Sequence, residues 1–408
     1  MSLSIKELLN IGKVQLEREG IADAAIDAKT LFCYLKCMTH KDFLLSWQYE
    51  VGDDDCEGFF ELIEKRASGV PTQYITGVQS FMGHEFIVNE NVLIPRQDTE
   101  TMVEDALELI EKGTIRGEEV QSKKNWDVLD MCTGSGAIGI SIFKETKKVK
   151  KMTCSDISPE AMEVARKNAR ELNAERIEFV KSDLFAEFKG AIKNRKFDLI
   201  ISNPPYIRSD VIPTLQREVK DHEPLLALDG GEDGLDFYRR IAQEAFLHLN
   251  KKGVLMLEIG YDQGKALIEM LQDTGMYEQI RCLQDLAHKD RIIVATRNDK
   301  KPEKKKKEKE DRQLRNSIQP GDEIVTIGGF IGRVLSVKDD LGVSVKAFKD
   351  KLYHVFGKDG VVNVEGLGIF PFALRNPLQA FLARAKIRIG NQAVGEQVGL
   401  NYGRDGNF

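Results

Sequence analysis

The sequence has no stretch approaching the ~20 consecutive apolar residues needed to cross a bilayer, and Met1 to Glu7 lack the charged and apolar regions of a secretory signal. Its six cysteines, Cys33, Cys37, Cys56, Cys132, Cys154 and Cys282, form no C-x-x-C pair and no zinc-type spacing. Reduced, mostly buried thiols are expected, with no metal centre. A broad basic surface is missing too. Residues 1–297 carry 39 basic and 51 acidic side chains (net −12), and residues 298–408 carry 20 and 14 (net +6), which together give the chain's −6. An acidic body disfavours wide contact with a phosphate backbone. These absences predict a soluble, cytoplasmic protein with no membrane span and no direct nucleic-acid partner.

What is there is long enough, at 408 residues, for two or three domains. Apolar residues at helical spacing, with breaks at Gly20, at Thr39–His40 and at 51–55, predict a bundle of four or five helices over residues 1–70. Residues 71–100 read as a linker hairpin. Its strands are expected in Phe81–Val88 and Val92–Ile94, turned at Asn89, Glu90 and Asn91. An amphipathic helix is predicted over Thr101–Lys112.

From 101 to 297 the pattern is a strand–helix alternation, which predicts an α/β, Rossmann-like sheet. The strand at Trp126–Met131 runs into Cys132, Thr133, Gly134, Ser135 and Gly136, a glycine turn that lets the backbone approach a ligand. A second strand ends at Asp156, about 20 residues beyond the glycines, where doubly wound folds place an acid on ribose hydroxyls. Asp130 precedes the glycines and suits an ammonium group better than a pyrophosphate, favouring an adenosyl cofactor over a dinucleotide. Asp183 and Leu184, after a third strand, would flank an adenine ring. The fourth strand, Phe197–Ile201, ends in Asn203, Pro204, Pro205 and Tyr206. Two prolines cannot extend a strand and hold the corner stiff, so an amide, free carbonyls and a phenol ring are presented at the carboxyl end of the sheet. A long irregular insert follows, positioned to wall the substrate side. The segments around Tyr277–Leu283 and Arg291–Thr296 are predicted to pair at the sheet edge.

Glycine turn, ribose aspartate and Asn-Pro-Pro-Tyr in this order resemble class I S-adenosylmethionine-dependent methyltransferases acting on planar nitrogens. Over residues 1 to about 297 the chain is most similar to the peptide chain release factor N5-glutamine methyltransferases, the PrmC/HemK family. Pro71-x-x-Tyr74-Ile75-x-Gly77, Phe81-x-Gly83-x-x-Phe86-x-Val88, Val92 to Arg96, and His222-Glu223-Pro224 with Asp229 to Gly231 carry that resemblance. The chain departs from it at Gln97-Asp98, where the family usually has Pro-Glu, and at Cys132, where it usually has glycine.

The resemblance implies S-adenosyl-L-methionine as cofactor, held by Asp130, Cys132, Thr133, Gly134, Ser135, Gly136, Asp156, Asp183, Leu184 and Asn203. It implies catalysis by Asn203, Pro204 and Tyr206, with Asn203, Pro204, Pro205 and Tyr206 contacting the substrate. That substrate would be the Gly-Gly-Gln loop of class-1 peptide chain release factors, met by a monomer whose helical bundle serves docking. The rivals are an amino-methyltransferase of adenine or guanine in nucleic acid, and a non-catalytic adaptor that binds partners through its tail. Beyond 297, residues 298–317 read as a charged linker. Residues 318–346 form a small β segment similar to the soluble part of YajC, an accessory subunit of the preprotein translocase. Residues 347–408 match no known pattern.

Overall fold

Ser4 opens the first helix. Its hydroxyl accepts from the Glu7 amide and the Glu7 carboxylate accepts from the Ser4 amide, pairing donors that a helix start leaves open. The computed structural model describes residues 3–46, 49–189 and 195–299, with six strands beyond residue 322. Helices α1 (Ile5–Arg18), α2 (Ala24–Leu35), α3 (His40–Ser46), α4 (Asp53–Ala67) and α5 (Thr72–Thr76) form the N-terminal bundle. Leu8, Leu16, Leu31, Phe32, Phe59 and Ile63 close its core.

The hairpin that follows differs from the sequence expectation. Strand β1 (Val78–Phe81) pairs with β2 (His84–Ile87), and Met82 and Gly83 make the turn. Both turn residues have positive φ, 49° and 73°, the geometry that matches the twist of a two-residue hairpin. Val92 and Ile94 are buried without being strand. Val92 packs with Val88 against Ala161 and Val164.

Helix α6 (Gln97–Lys112) starts four residues before the expected position, with Asp98 and Glu100 in its first turn, where acids favour the helix dipole. Gln97 is its first residue. A proline is welcome there but not needed, so this departure from the family pattern leaves the helix start intact.

The central sheet has seven strands: β3 (Trp126–Met131), β4 (Val149–Asp156), β5 (Glu178–Lys181), β6 (Phe197–Ser202), β7 (Leu249–Glu258), β8 (Tyr277–Gln284) and β9 (Asp290–Arg297). Their order is β8-β9-β7-β6-β3-β4-β5, with β9 alone antiparallel to its neighbours. Every residue of β6 is buried: Leu199, Ile200 and Ile201 are covered on both faces, and the buried Asp198 is held by Lys123 and Asn250. Alternation still governs the faces. Val128, Leu199, Ile201, Val254 and Met256 pack beneath α6 and α7 (Ala137–Glu145). Leu129, Met131, Ile200, Leu255 and Leu257 pack beneath α11 (Asp236–His248) and α12 (Gly264–Thr274), and Phe197 joins them because the register shifts between it and Leu199. Between them in the chain lie α8 (Pro159–Glu171) and, inside the insert, the short α9 (Arg217–Lys220) and α10 (Leu225–Leu228). The chain winds outward from β3 to β5, then returns to lay β6 on the other side of β3. The carboxyl ends of β3 and β6 therefore flank the switch point, where open α/β sheets leave a crevice.

Contacts divide the chain into residues 1–303 and 304–408. The second unit holds a six-stranded antiparallel sheet. Glu323–Thr326 pairs with Ile331–Lys338, inside the stretch 318–346 that the sequence marks as a small β segment. Gly342–Ala347, Leu352–His354, Ala385–Ile389 and Gln392–Val394 complete it, the last three in a region where no element is predicted. The charged segment 300–317 lies outside the described residues. Among the described residues no helix is long and apolar enough to cross a membrane.

Candidate active site

The turn after β3 is shaped by its own backbone. Cys132, Gly134 and Gly136 have φ of 60°, 54° and 83°, the left-handed region that only glycine enters freely. At Cys132, where the family pattern has glycine, the side chain costs about 1–2 kcal/mol. The turn is tied down at each end: the Thr133 amide donates to Ser155 O at 3.0 Å, the Gly136 amide to Thr133 O at 2.8 Å, and Asn168 Nδ2 to Ser135 O at 2.9 Å.

Asp130 departs from expectation. It is fully buried, lies behind the turn, and does not line the cavity. Its Oδ2 accepts from Thr133 Oγ1 and, at 2.9 Å, from the Gly139 amide, so that oxygen serves the loop, while Oδ1 is buried with no partner among the described residues. Gly139 is small for the same reason: a Cβ there would stand 2.5 Å from Cys154 Sγ and 2.9 Å from Asp130 Oδ2. An acid before a glycine turn reads equally well in sequence as a ligand or as the anchor of its own loop.

One cavity of about 250 Å³ opens above the turn. Cys132, Thr133, Gly134 and Ser135 line it, with Asp156, Asp183 and Leu184 from the ends of β4 and β5, and Asn203 and Pro205 from the end of β6. Gly136, Pro204 and Tyr206 do not. A Cβ built on Gly134 meets nothing within 4 Å, so it would project into open space that the glycine leaves to a ligand. Asp156 bridges two loops: Oδ2 accepts from the Gly134 amide at 2.9 Å and Oδ1 from the Ser158 amide at 3.0 Å. Burial nevertheless pushes this carboxyl above its ordinary range.

Arg240 was not foreseen. It reaches from α11 to pair with Asp183 at 2.8 Å, and both line the cavity. The insert contributes Pro224, Leu226 and Ala227, and the linker Leu93, Pro95 and Arg96. Arg96 pairs with the buried Glu223 at 2.5 Å, while Glu223 Oε2 has no partner among the described residues.

Ser202 Oγ donates to Met131 O at 2.6 Å and ties the end of β6 to the end of β3. Asn203 is half-buried, and among the described residues nothing hydrogen-bonds its side-chain amide or the Pro204 carbonyl. Tyr206 turns inward instead of facing the cavity. Its hydroxyl donates to Glu258 Oε1 at 3.4 Å, and Glu258 Oε2 accepts from Thr99 Oγ1 at 2.6 Å. Its ring packs against the core shared by β6, β7 and α11.

Burial pushes both Asp130 and Glu258 up to about 7. For a carboxyl raised by folding, its stabilising share is complete below the unfolded value and is lost as pH rises through the folded one. The window here runs from about 4.5 to beyond 7. For Glu258 the displacement is worth roughly 3 kcal/mol across that window. Glu258→Gln removes this share, so its denaturation midpoint should fall less between pH 5 and pH 8 than the parent's. Parallel midpoint-against-pH curves for the two proteins would contradict the assignment.

Known proteins resemble this chain in sequence. A methyltransferase small domain model matches residues 117–232, a PrmC N-terminal domain model residues 7–77, and a preprotein translocase subunit model residues 301–365. The release factor glutamine methyltransferase of Clostridium acetobutylicum is 40% identical over 272 residues, 66% of this chain and 90% of that protein. That of Moorella thermoacetica is 35% identical over 298 residues, 73% of this chain and all of the relative. Among solved structures, the release factor-specific protein-(glutamine-N5) methyltransferase of Alicyclobacillus acidocaldarius is 25% identical, covering 52% of this chain and 99% of its own, with a TM-score of 0.32. On the strength of these sequence relatives, matched over almost their whole length, the chain belongs to the release factor glutamine methyltransferase family.

Proposed function

We propose that the chain methylates the side-chain amide nitrogen of the glutamine in the Gly-Gly-Gln loop of a class-1 release factor, with S-adenosyl-L-methionine as methyl donor. The observation that carries this reading is that Asn203 and Pro205 share one cavity with Gly134, Asp156 and Asp183. The open cradle at Gly134 and the remaining lone pairs of Asp156, which lines the cavity, suit an adenosyl cofactor. In this reading Asp156 accepts from the ribose hydroxyls, Asp183 and Leu184 flank the adenine, and residues 132–135 border the amino-acid part. When bound, the cofactor supplies an electrophilic methyl group on a sulfonium sulfur.

The remaining chemistry belongs to the corner after β6. An amide nitrogen is a poor nucleophile because its lone pair is delocalised into the carbonyl. The Asn203 side-chain oxygen and the Pro204 carbonyl accept the two N–H hydrogens of the glutamine amide. They fix its direction and offset the positive charge that develops on nitrogen. Tyr206 supports the corner from behind through Glu258 and does not touch the substrate. No strong base is required, because the proton is acidic once the nitrogen carries the methyl group and leaves to water.

The test offers methyl-labelled S-adenosylmethionine with a release factor in one reaction and DNA in another, and locates the label by mass spectrometry. Label on the Gly-Gly-Gln glutamine is expected. Label on a base and none on the glutamine would replace this reading with nucleic-acid amino-methylation, and label on neither would favour an adaptor.

A further inference from the structure

Arg66 has a side chain only 6% exposed. It sits near the end of α4 and binds acceptors from three separate segments. Nε donates to Asp27 Oδ2 on α2 at 2.7 Å, Nη1 to the Val70 carbonyl at 3.3 Å, and Nη2 to the Glu218 carboxylate on α9. The first two partners belong to the bundle and its exit. The third belongs to the insert, 152 residues away.

The contact does not stand alone. Gly69 has φ of 102°, and a Cβ there would lie 3.0 Å from Arg217 Cδ, so the chain leaving α4 runs directly against α9. From α9 the insert passes at once to Glu223, whose amide donates to Val219 O at 3.0 Å and whose carboxylate holds Arg96. It then passes to Pro224, Leu226 and Ala227 in the cavity wall. The insert is otherwise irregular, with helical pieces of only three or four residues that cannot hold a position by themselves.

We infer that Arg66 is a positioning residue that fixes the substrate-side wall of the cavity to the N-terminal bundle through Glu218. A planar guanidinium with its donors in a rigid fork suits this role: it sets distance and direction between two carboxylates at once, as a lysine cannot. Arg66 is shielded from water while Glu218 is 33% exposed, so the pair is screened by salt less than a pair exposed at both ends. The bundle and the methyl-transfer cavity are thereby held in one register, so a protein seated on the first presents its loop at a fixed distance from the second. This last consequence rests on the proposed transfer to a protein amide; the positioning itself does not.

The experiment separates the two. Amide hydrogen exchange is followed in the full chain, with no substrate present, for the parent, Glu218→Ala and Asp27→Asn. Glu218→Ala is expected to speed exchange at least ten-fold across residues 216–228 while leaving α1 and α2 as in the parent. Asp27→Asn, which leaves the link to Glu218 in place, is expected to loosen the bundle and spare the insert. In methyl-transfer assays Glu218→Ala should raise KM for the protein substrate about ten-fold and change cofactor affinity less than three-fold, with Glu218→Gln in between. Unchanged exchange at 216–228 in Glu218→Ala would overturn the inference whatever the kinetics. Faster exchange with parental KM would confine the role of Arg66 to stability and overturn the positioning claim. A parent chain that transfers no methyl to a release factor would instead defeat the functional reading, and the exchange result would still stand.

Discussion

Asn203→Ala is expected to lower single-turnover methyl transfer by about 10²–10³-fold, the usual loss when one preorganised polar partner of a developing charge is removed. Cofactor affinity should change by only a few-fold. The side chain is half-buried, lines the cavity and has no hydrogen-bond partner among the described residues, so its removal leaves no buried group stranded. The fold should survive, since Ser202 Oγ still ties β6 to β3 and the rest of β6 remains covered. The measurement is a rapid-quench turnover with labelled donor beside a calorimetric titration of the same donor. Transfer within three-fold of the parent would remove Asn203 from the reaction.

A second large effect is expected at a glycine that touches no ligand. Gly230→Ala places a Cβ 2.7 Å from Tyr206 Cα and 2.9 Å from its carbonyl carbon. Both obstacles are backbone, so no rotamer change relieves the clash. The insert and the corner after β6 run side by side here. The Ile207 amide donates to Leu228 O at 3.0 Å, the Gly230 amide to Ile207 O at 2.8 Å, and the Ser209 amide to Gly231 O at 3.0 Å. The added carbon must part these two segments or move the corner by several tenths of an ångström. A displacement approaching 1 Å at a site that works by orientation costs on the order of 10²-fold in rate, and the overpacking adds about 1–3 kcal/mol of destabilisation. The expected result is a turnover loss near two decades with a protein still folded at 25 °C. Parental turnover in Gly230→Ala would show that the corner does not depend on the insert.

The sequence is most informative where the sheet is most buried. β3 and β6 are found within a residue of their limits because strands covered on both faces are dominated by apolar residues, and the acids within them, Asp127, Asp130 and Asp198, do not interrupt the run for more than one position. Gly134 and Asp156 stand out because a close-approach turn and a strand-end acid leave few chemical substitutes. The hairpin is misplaced because Val92, Leu93 and Ile94 read as strand, whereas Val92 is buried as coil beneath α8. The true turn at Met82-Gly83 depends on a left-handed methionine, which composition does not announce. Helix α12 is missed, since Leu267 and Leu271 offer one short apolar stripe between two strong strands. Tyr206 and Asp130 are read as ligand contacts because their types fit the chemistry, and neither lines the cavity. Whether a side chain faces a cavity or its own loop is decided by tertiary packing, which leaves no local pattern. Arg66 and Glu218 pair across 152 residues, and nothing in either neighbourhood marks them.

The left-handed residue that opens the glycine turn also carries sulfur. Cys132 puts a thiol in the wall of the cavity, at a place where the family pattern has no side chain at all. Burial, and then the nearby carboxylate of Asp156, push that thiol well up, so at neutral pH it keeps its proton. A protonated thiol is a slow nucleophile and a poor target for oxidants. An electrophile held in this cavity would therefore depend on residence time for its reaction with Cys132.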